Sequence, residues 1–309
     1  MAKKIFKDMT IEERMAYIVQ RIATSDIASS GKLNADQSNK FIQLVVDNTA
    51  LKGIVKTETM IAATKDLDTI DLSTRQMTNP TEGTESNSIS ATFAKRTMTA
   101  VEYIYPVDLT YSFLEDNIER QDFEDSIIEL CAKAVALDLE DLSINGDDDS
   151  ATTFIAQNDG YIVIAKAAGH LVDITSPDDR LGYIFPEMLD SMPDKWKANR
   201  SALRLLMSSS DYEDYEDEIA DRNTALGDMA ITTGKKIPFK GVEIVTPPAW
   251  PTGEYMMTPV NNLRMGIHRE ILFEKERQPR ARTVEITISG RCDFEIAIVD
   301  AVVIGYQAT

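Results

Sequence analysis

Hydrophobic and polar positions alternate along this chain with two periods, and one period-two run is unusually long. From Ile89 to Leu109 the odd-numbered positions read Ile, Ala, Phe, Lys, Thr, Thr, Val, Tyr, Tyr, Val, Leu, an alternation sustained without a break. Fully extended, such a run reaches about 70 Å, whereas strands typically have about 5–6 residues. Leu67 to Met77 can supply a partner strand, and the intervening MTNPTEGTESNSIS reads as a hairpin tip or loop. Two readings fit: two or three ordinary strands separated by bends, or a long two-stranded arm projecting from the body. A lone ribbon of two strands is marginal in water, so the second reading needs another subunit for the arm to lie on. Pro106 restricts its segment to an edge strand or a strand end, because proline cannot donate to a sheet ladder.

Helical spacing appears elsewhere. Ile11 to Arg21 predicts a short helix, and a second one follows Asn34 with Phe41, Leu44 and Val45 on one side. Asp122 can cap a helix with Asp125 completing a box-like pair, and Phe123, Ile127, Cys131, Val135 and Leu142 give it one apolar stripe of about 22 residues. Asn145-Gly146 ends it as a turn. Beyond residue 150 the expectations are a strand at Tyr161–Ile164, helices at Pro186–Met192 and Asp194–Met207, a helix carrying Tyr212, Tyr215 and Ile219, and a strand at Val242–Val245. Val284-Ile286-Ile288 and Cys292-Phe294-Ile296-Ile298 alternate on either side of Ser289-Gly290, which predicts a hairpin, followed by a strand at Ala301–Ile304.

Charge sharpens this picture. The 309 residues carry 32 Lys+Arg against 51 Asp+Glu, a net −19, unevenly placed. Asp108 to Ser150 holds 14 acidic side chains against Arg120 and Lys133, a net of −12, while positions 1–60 net +2. DYEDYEDEIAD (211–221) is a second acidic cluster, and Lys275, Arg277, Arg280, Arg282 and Arg291 form a basic concentration. So acidic a surface repels a phosphate backbone and argues against sequence-reading nucleic-acid binders. The most apolar segment, Ile296–Ile304, is broken by Asp300 and is about half a membrane span, so no membrane partner is expected. No signal peptide is read at the N-terminus, and Cys131 and Cys292 match no metal or redox spacing.

The residues offer little to catalysis. Gly227 and Gly234-Lys235 do not have phosphate-loop spacing, and His170 and His268 lack neighbouring ligands. Asp147, Asp148 and Asp149 lack the spacing of a calcium loop and read as a solvated turn. No cofactor, metal or catalytic residue is assigned.

The order of elements resembles the Hong Kong 97-like major capsid proteins of tailed double-stranded DNA phages, most clearly over residues 60–309. TFAKRTMTAVEYIYPVDLTYSFLED is similar to the returning strand of that family's extended loop, and DFEDSIIELCAKAVALDLEDLSINGD to its spine helix. MLDSMPDKWKANRSALRLLMSS, DRNTALGDMAITTGKKIPFKGVEIVTPPAWP and MTPVNNLRMGIHREILFEKERQPRARTVEITISGRCDFEIAIVDAVVIGY are similar to the axial segments and closing strands. The resemblance implies an α+β fold: an N-terminal arm (1–60), an extended β-hairpin loop (61–109), a peripheral domain with the spine helix (110–160 and 260–309) and an axial domain (161–259). It implies a non-enzymatic protein of the virion, assembled in the bacterial host cytoplasm as hexamers and pentamers into an icosahedral head. That head would enclose DNA without sequence-specific binding, with a portal protein, a separate scaffolding protein and a possible decoration or cement protein as partners. Arg75, Glu82, Glu85, Arg96, Arg277, Arg280 and Arg282 are the expected inter-subunit contacts, and Glu124, Glu129 and Asp141 the expected lumen-facing acids. The alternatives are an encapsulin-type nanocompartment shell and, less in keeping with the residues, a soluble α/β enzyme.

Overall fold

A computed structural model describes residues 51, 53–71, 82, 92–112, 120–175, 179–220 and 236–307, with backbone alone at 71, 92, 93, 120–129, 269–271, 273 and 275. In chain order these form β1 (Lys56–Met60), β2 (Thr64–Asp71), β3 (Thr92–Thr99), β4 (Val101–Thr110), α1 (Arg120–Asn145), α2 (Tyr161–Ala168), β5 (His170–Asp173) and α3 (Phe185–Ser191). There follow the single turn α4 (Asp194–Lys197), β6 (Leu203–Leu206), α5 (Ser209–Ala220), β7 (Glu243–Val245), β8 (Tyr255–Pro259), β9 (Leu263–Gln278), β10 (Thr283–Ile296) and β11 (Val303–Tyr306). The helices predicted at Ile11–Arg21 and after Asn34 lie outside the described residues.

Three sheets organise the α+β fold: four strands in the order β1-β9-β10-β4, five in the order β5-β11-β8-β6-β7, and the pair β2-β3. β10 is the spine of the first sheet. Its even-numbered residues from Val284 to Ile296 are buried, while the odd-numbered ones are half-buried on the opposite face. The same alternation in β4 turns Tyr103, Tyr105, Val107 and Leu109 inward and leaves Pro106 facing out on the edge strand, the position its missing N–H requires.

Helix α1 closes over that core. Cys131, Ala132, Val135, Ala136, Leu139 and Leu142 recur every three to four residues and share one buried cluster with β10 and α2. The helix stops at the predicted Asn145-Gly146 turn because two backbones meet there. Gly160 donates to the Gly146 carbonyl at 2.8 Å, and a Cβ on Gly146 would collide with the Asn158 carbonyl. A second core lies under the five-stranded sheet. Phe185 sits at its centre, with ring centroids of Tyr215, Phe239 and Tyr255 at 5.4, 5.2 and 5.7 Å. Asn262 ties the two sheets together, accepting from the Ile298 N–H at 2.8 Å and donating to the Ile298 carbonyl at 2.9 Å.

Several local expectations are corrected. The alternating run from Ile89 to Leu109 is divided at Ala100: among the described residues β3 pairs only with β2, whereas β4 joins the four-stranded sheet. No turn interrupts β10 at Ser289-Gly290. The inward phase passes unbroken from Ile288 through Gly290 to Cys292, and glycine is needed there because a Cβ would lie 2.5 Å from the Tyr103 hydroxyl. The hairpin turn is instead at residues 279–282, where Arg282 takes a φ of 54°. Tyr161–Ile164 begins helix α2, since a short apolar run buried on several sides has no period that separates helix from strand. The predicted Asp194–Met207 helix ends after one turn, and Leu203, Leu205 and Leu206 are drawn into the sheet as β6.

Candidate assembly interface

Two parts of the molecule reach beyond the core of the first sheet: the separate β2–β3 ribbon and the turn of the β9–β10 hairpin. The ribbon pairs in register from Thr64↔Thr99 to Asp71↔Thr92, and no other strand joins it among the described residues. Its outer positions include Ile70, and Ile61, at the bend leading into it, is 99% exposed. Lys95 Nζ and Thr97 Oγ1 both reach Asp66, at 2.8 Å each, and hold the two strands together.

The ribbon's root is fixed to the body by buried and charged contacts. Met98 is fully buried and lies with Met60 over Gly266, where a Cβ would come within 2.6 Å of Met60 Sδ and 2.7 Å of Met98 Cε. Arg96 donates from Nη2 (2.9 Å) and Nε (3.2 Å) to Glu295. The Thr99 N–H donates to Asp293 at 2.5 Å, and the Asn158 side chain donates to the same carboxylate at 3.1 Å. Burial raises the Asp293 pKa despite these donors. Glu58 joins three strands by accepting from Lys56 (2.8 Å), Lys65 (2.9 Å) and Arg264 (2.6 Å).

The second projection is cationic. Arg277, Arg280 and Arg282 are exposed around the hairpin turn and make no ion pair with any described residue. Of the other expected contact residues, Glu82 is exposed, Arg96 is engaged at the ribbon root, and Arg75 and Glu85 lie outside the described residues. On α1, Glu124 and Glu129 occupy helical positions whose side chains are not described. Asp141 is half-buried and accepts from Asn145 at 2.7 Å. The exposed side of this helix is not purely acidic, because Leu130 and Leu137 stand on it two turns apart.

Acidic residues that look alike in sequence have different fates. Within the 211–221 cluster, Asp211, Asp214 and Glu218 converge on Arg180, with guanidinium–carboxylate distances of 2.9, 2.6 and 3.5 Å. Burial opposes ionisation of Asp211, but hydrogen bonds from Ser208, Gly253, Arg180 and Tyr255 outweigh it and hold the carboxyl below the usual range. Sequence spacing alone could have shown that these residues share a helix face, but not that Arg180 lies opposite. Asp147, Asp148 and Asp159 instead gather with oxygens within 4.8 Å, and repulsion from Asp159 raises the Asp148 pKa. His170 lies beside Asp300 at 3.2 Å on the surface, while His268 is buried on β9. Neither joins a nucleophile among the described residues.

Comparison with solved structures places this architecture. The chain superposes on a chain of the satellite phage P4 procapsid that includes the size determination (Sid) protein, with a TM-score of 0.68, 13% identity, and coverage of 97% of this chain and 98% of that one. It has the Hong Kong 97-like capsid fold. The same fold matches the capsid of an empty GTA particle (TM-score 0.61, 12% identity, 84% and 90% coverage) and Mycobacterium phage Bobi (0.56, 17%, 98% and 99%). In sequence, it is 27% identical over 293 residues to a Bacillus subtilis (strain 168) protein provisionally named as prophage capsid protein YqbE, covering 90% of this chain and 93% of the relative. No family model matches the chain.

Proposed function

We infer that this protein is the major capsid protein of a phage-type head, a structural and non-enzymatic subunit of the virion that assembles with copies of itself into a closed shell. The observation that carries this is the capsid fold spanning 97% of the chain. The β2–β3 ribbon agrees with it, since two strands with no third partner among the described residues gain stability by lying on a neighbour.

In this reading residues 1–60 are the N-terminal arm, 61–109 the extended loop, 110–160 with 260–309 the peripheral domain around the α1 spine, and 161–259 the axial domain. Hexamers and pentamers close the icosahedral shell around double-stranded DNA. A portal protein, a separate scaffolding protein and a decoration or cement protein are the other partners such a head uses. Arg75, Glu82, Glu85, Arg277, Arg280 and Arg282 serve the contacts between subunits, while Arg96, paired with Glu295 in its own chain, contributes by fixing the ribbon that makes them. Glu124, Glu129 and Asp141 face the lumen, where like charge keeps the packaged genome from adhering to the wall. Single exposed ion pairs contribute about 0–1 kcal/mol each, so shell strength comes from their repetition and from buried apolar area.

Negative-stain microscopy of the expressed protein tests the reading. Closed shells of uniform diameter are expected; a discrete monomer in size-exclusion chromatography, with no particles at any protein concentration, would overturn it.

A further inference from the structure

The outer face of the first sheet carries an arrangement that no described residue satisfies. The register sets Glu285 of β10 directly opposite Asp108 of β4 on one side and Glu276 of β9 on the other. Three carboxylates thus stand in one row across adjacent strands, about 4.8 Å from strand to strand. Glu274, two positions along β9 and so on the same face, extends the acidic patch into the next row, beside Thr287 and Pro106. None of the four has an ion pair or hydrogen bond with a described residue. Like charges directly opposite across strands are destabilising, and a row of three without a cation is the least favourable way to place them.

The cations that would relieve this row are close by on the same hairpin. Arg280 and Arg282 are exposed at the β9–β10 turn and equally unpartnered among the described residues, whereas Arg96, Arg264 and Arg291 each have a carboxylate in the chain. Arg277 is set aside, because it pairs in register with Val284 and so stands on the opposite face of β9 from Glu276. Within one copy the turn adjoins the row along the ladder, yet neither arginine meets its carboxylates in an ion pair. Between copies they can meet: each subunit presents one acidic row and one basic turn, and a head-to-tail contact that closes into a ring satisfies both in every member.

We propose that the row Asp108–Glu285–Glu276, with Glu274, receives the Arg280–Arg282 turn of a second copy of this chain. The proposal rests on the shell reading above and identifies the surface that the basic turn engages.

Charge exchange tests it in four forms of the full-length chain: wild type, Arg280→Glu with Arg282→Glu, Glu276→Lys with Glu285→Lys, and all four substitutions together. Shell yield is read by sedimentation and negative stain, with circular dichroism and thermal melting confirming that each form is folded. Each pair alone is expected to lower shell yield at least tenfold, and the fourfold variant to recover most of it. Should a reversed pair fail to fold, Glu276→Gln with Glu285→Gln replaces it, with a reduced yield and a weaker salt dependence of assembly expected. Wild-type yield from either reversed pair would overturn the proposal. So would a fourfold variant no better than the pairs, which would mean that another cation, such as the lysines of the N-terminal segment, covers the row. Absence of shells from the wild type would instead overturn the shell reading, and this proposal with it.

Discussion

Arg96 places two guanidinium nitrogens on a single oxygen of Glu295, at 2.9 and 3.2 Å, across 199 residues of sequence. The pair joins the root of the β2–β3 ribbon to β10, next to the Thr99–Asp293 bond, so it holds the direction in which the ribbon leaves the body. Arg96→Ala should cost about 1–2 kcal/mol, the range for a charge-assisted hydrogen bond that is partly exposed. It should also raise amide hydrogen exchange in β2 and β3 more than in β10. Equal exchange rates in the variant and the wild type would show that the ribbon is held without it.

Gly266 is predicted to be intolerant of a methyl group. Met60 and Met98 both lie where its Cβ would be, and both are buried. Gly266→Ala should destabilise the protein by about 1–3 kcal/mol, the usual cost of overpacking a filled site. Adding Met60→Ala should recover part of that loss, giving a non-additive double-mutant cycle in urea denaturation. Additive effects would mean that the backbone, not the methionines, opposes the methyl.

Acid stability should depend on Glu58. Burial works against its charge, but hydrogen bonds from Lys56 and Lys65 prevail and hold the pKa at about 2, below the ordinary 4.5. A carboxyl depressed by folding stabilises the native state fully above its unfolded value and loses that contribution as pH falls through its folded value. Glu58→Gln should therefore lower stability at pH 7 by about 1–3 kcal/mol, with the gap to wild type closing between pH 4.5 and 2. Urea titrations across that range check the sign; a constant gap would contradict it.

Neither cysteine should react in the native state. Burial pushes Cys292 up to about 12 and also raises Cys131, so the thiolate that attacks a disulfide reagent is scarce and inaccessible at pH 8. A chromogenic disulfide reagent should titrate both thiols (Cys131 and Cys292) only after denaturation. Rapid labelling of the folded protein would show local opening of β10 or α1.

Much of the fold was legible wherever a residue's role is set by its near neighbours. The stripe through Cys131, Val135 and Leu142, the stop at Asn145-Gly146 and the edge position of Pro106 are local consequences of helix period, turn chemistry and a missing N–H. The helix of Tyr212 and Tyr215 was legible for the same reason. The strand β6 was not, because Leu203, Leu205 and Leu206 satisfy helix and strand alike until the sheet takes them. Nor was the straight course of β10: Ser289-Gly290 has turn composition, and only Tyr103 lying over Gly290 explains the glycine without a turn. The basic turn was visible as a cluster of arginines, but its acidic counterpart was not, since Asp108, Glu276 and Glu285 are brought together only by register.

By itself the sequence determined which side of α1, α5, β4 and β10 turns inward, where α1 and α3 end, and how unevenly charge is spread along the chain. These follow from periodicity and backbone chemistry, which act only between near neighbours in the chain. The tertiary structure decided which strands become neighbours, and with that which charges are neutralised. Arg180 gathers three acids of one helix, while the row on the outer sheet face gathers no cation among the described residues. Charges repel or pair according to distance in space, and pairing between segments as far apart in sequence as Arg96 and Glu295 is set by the whole fold.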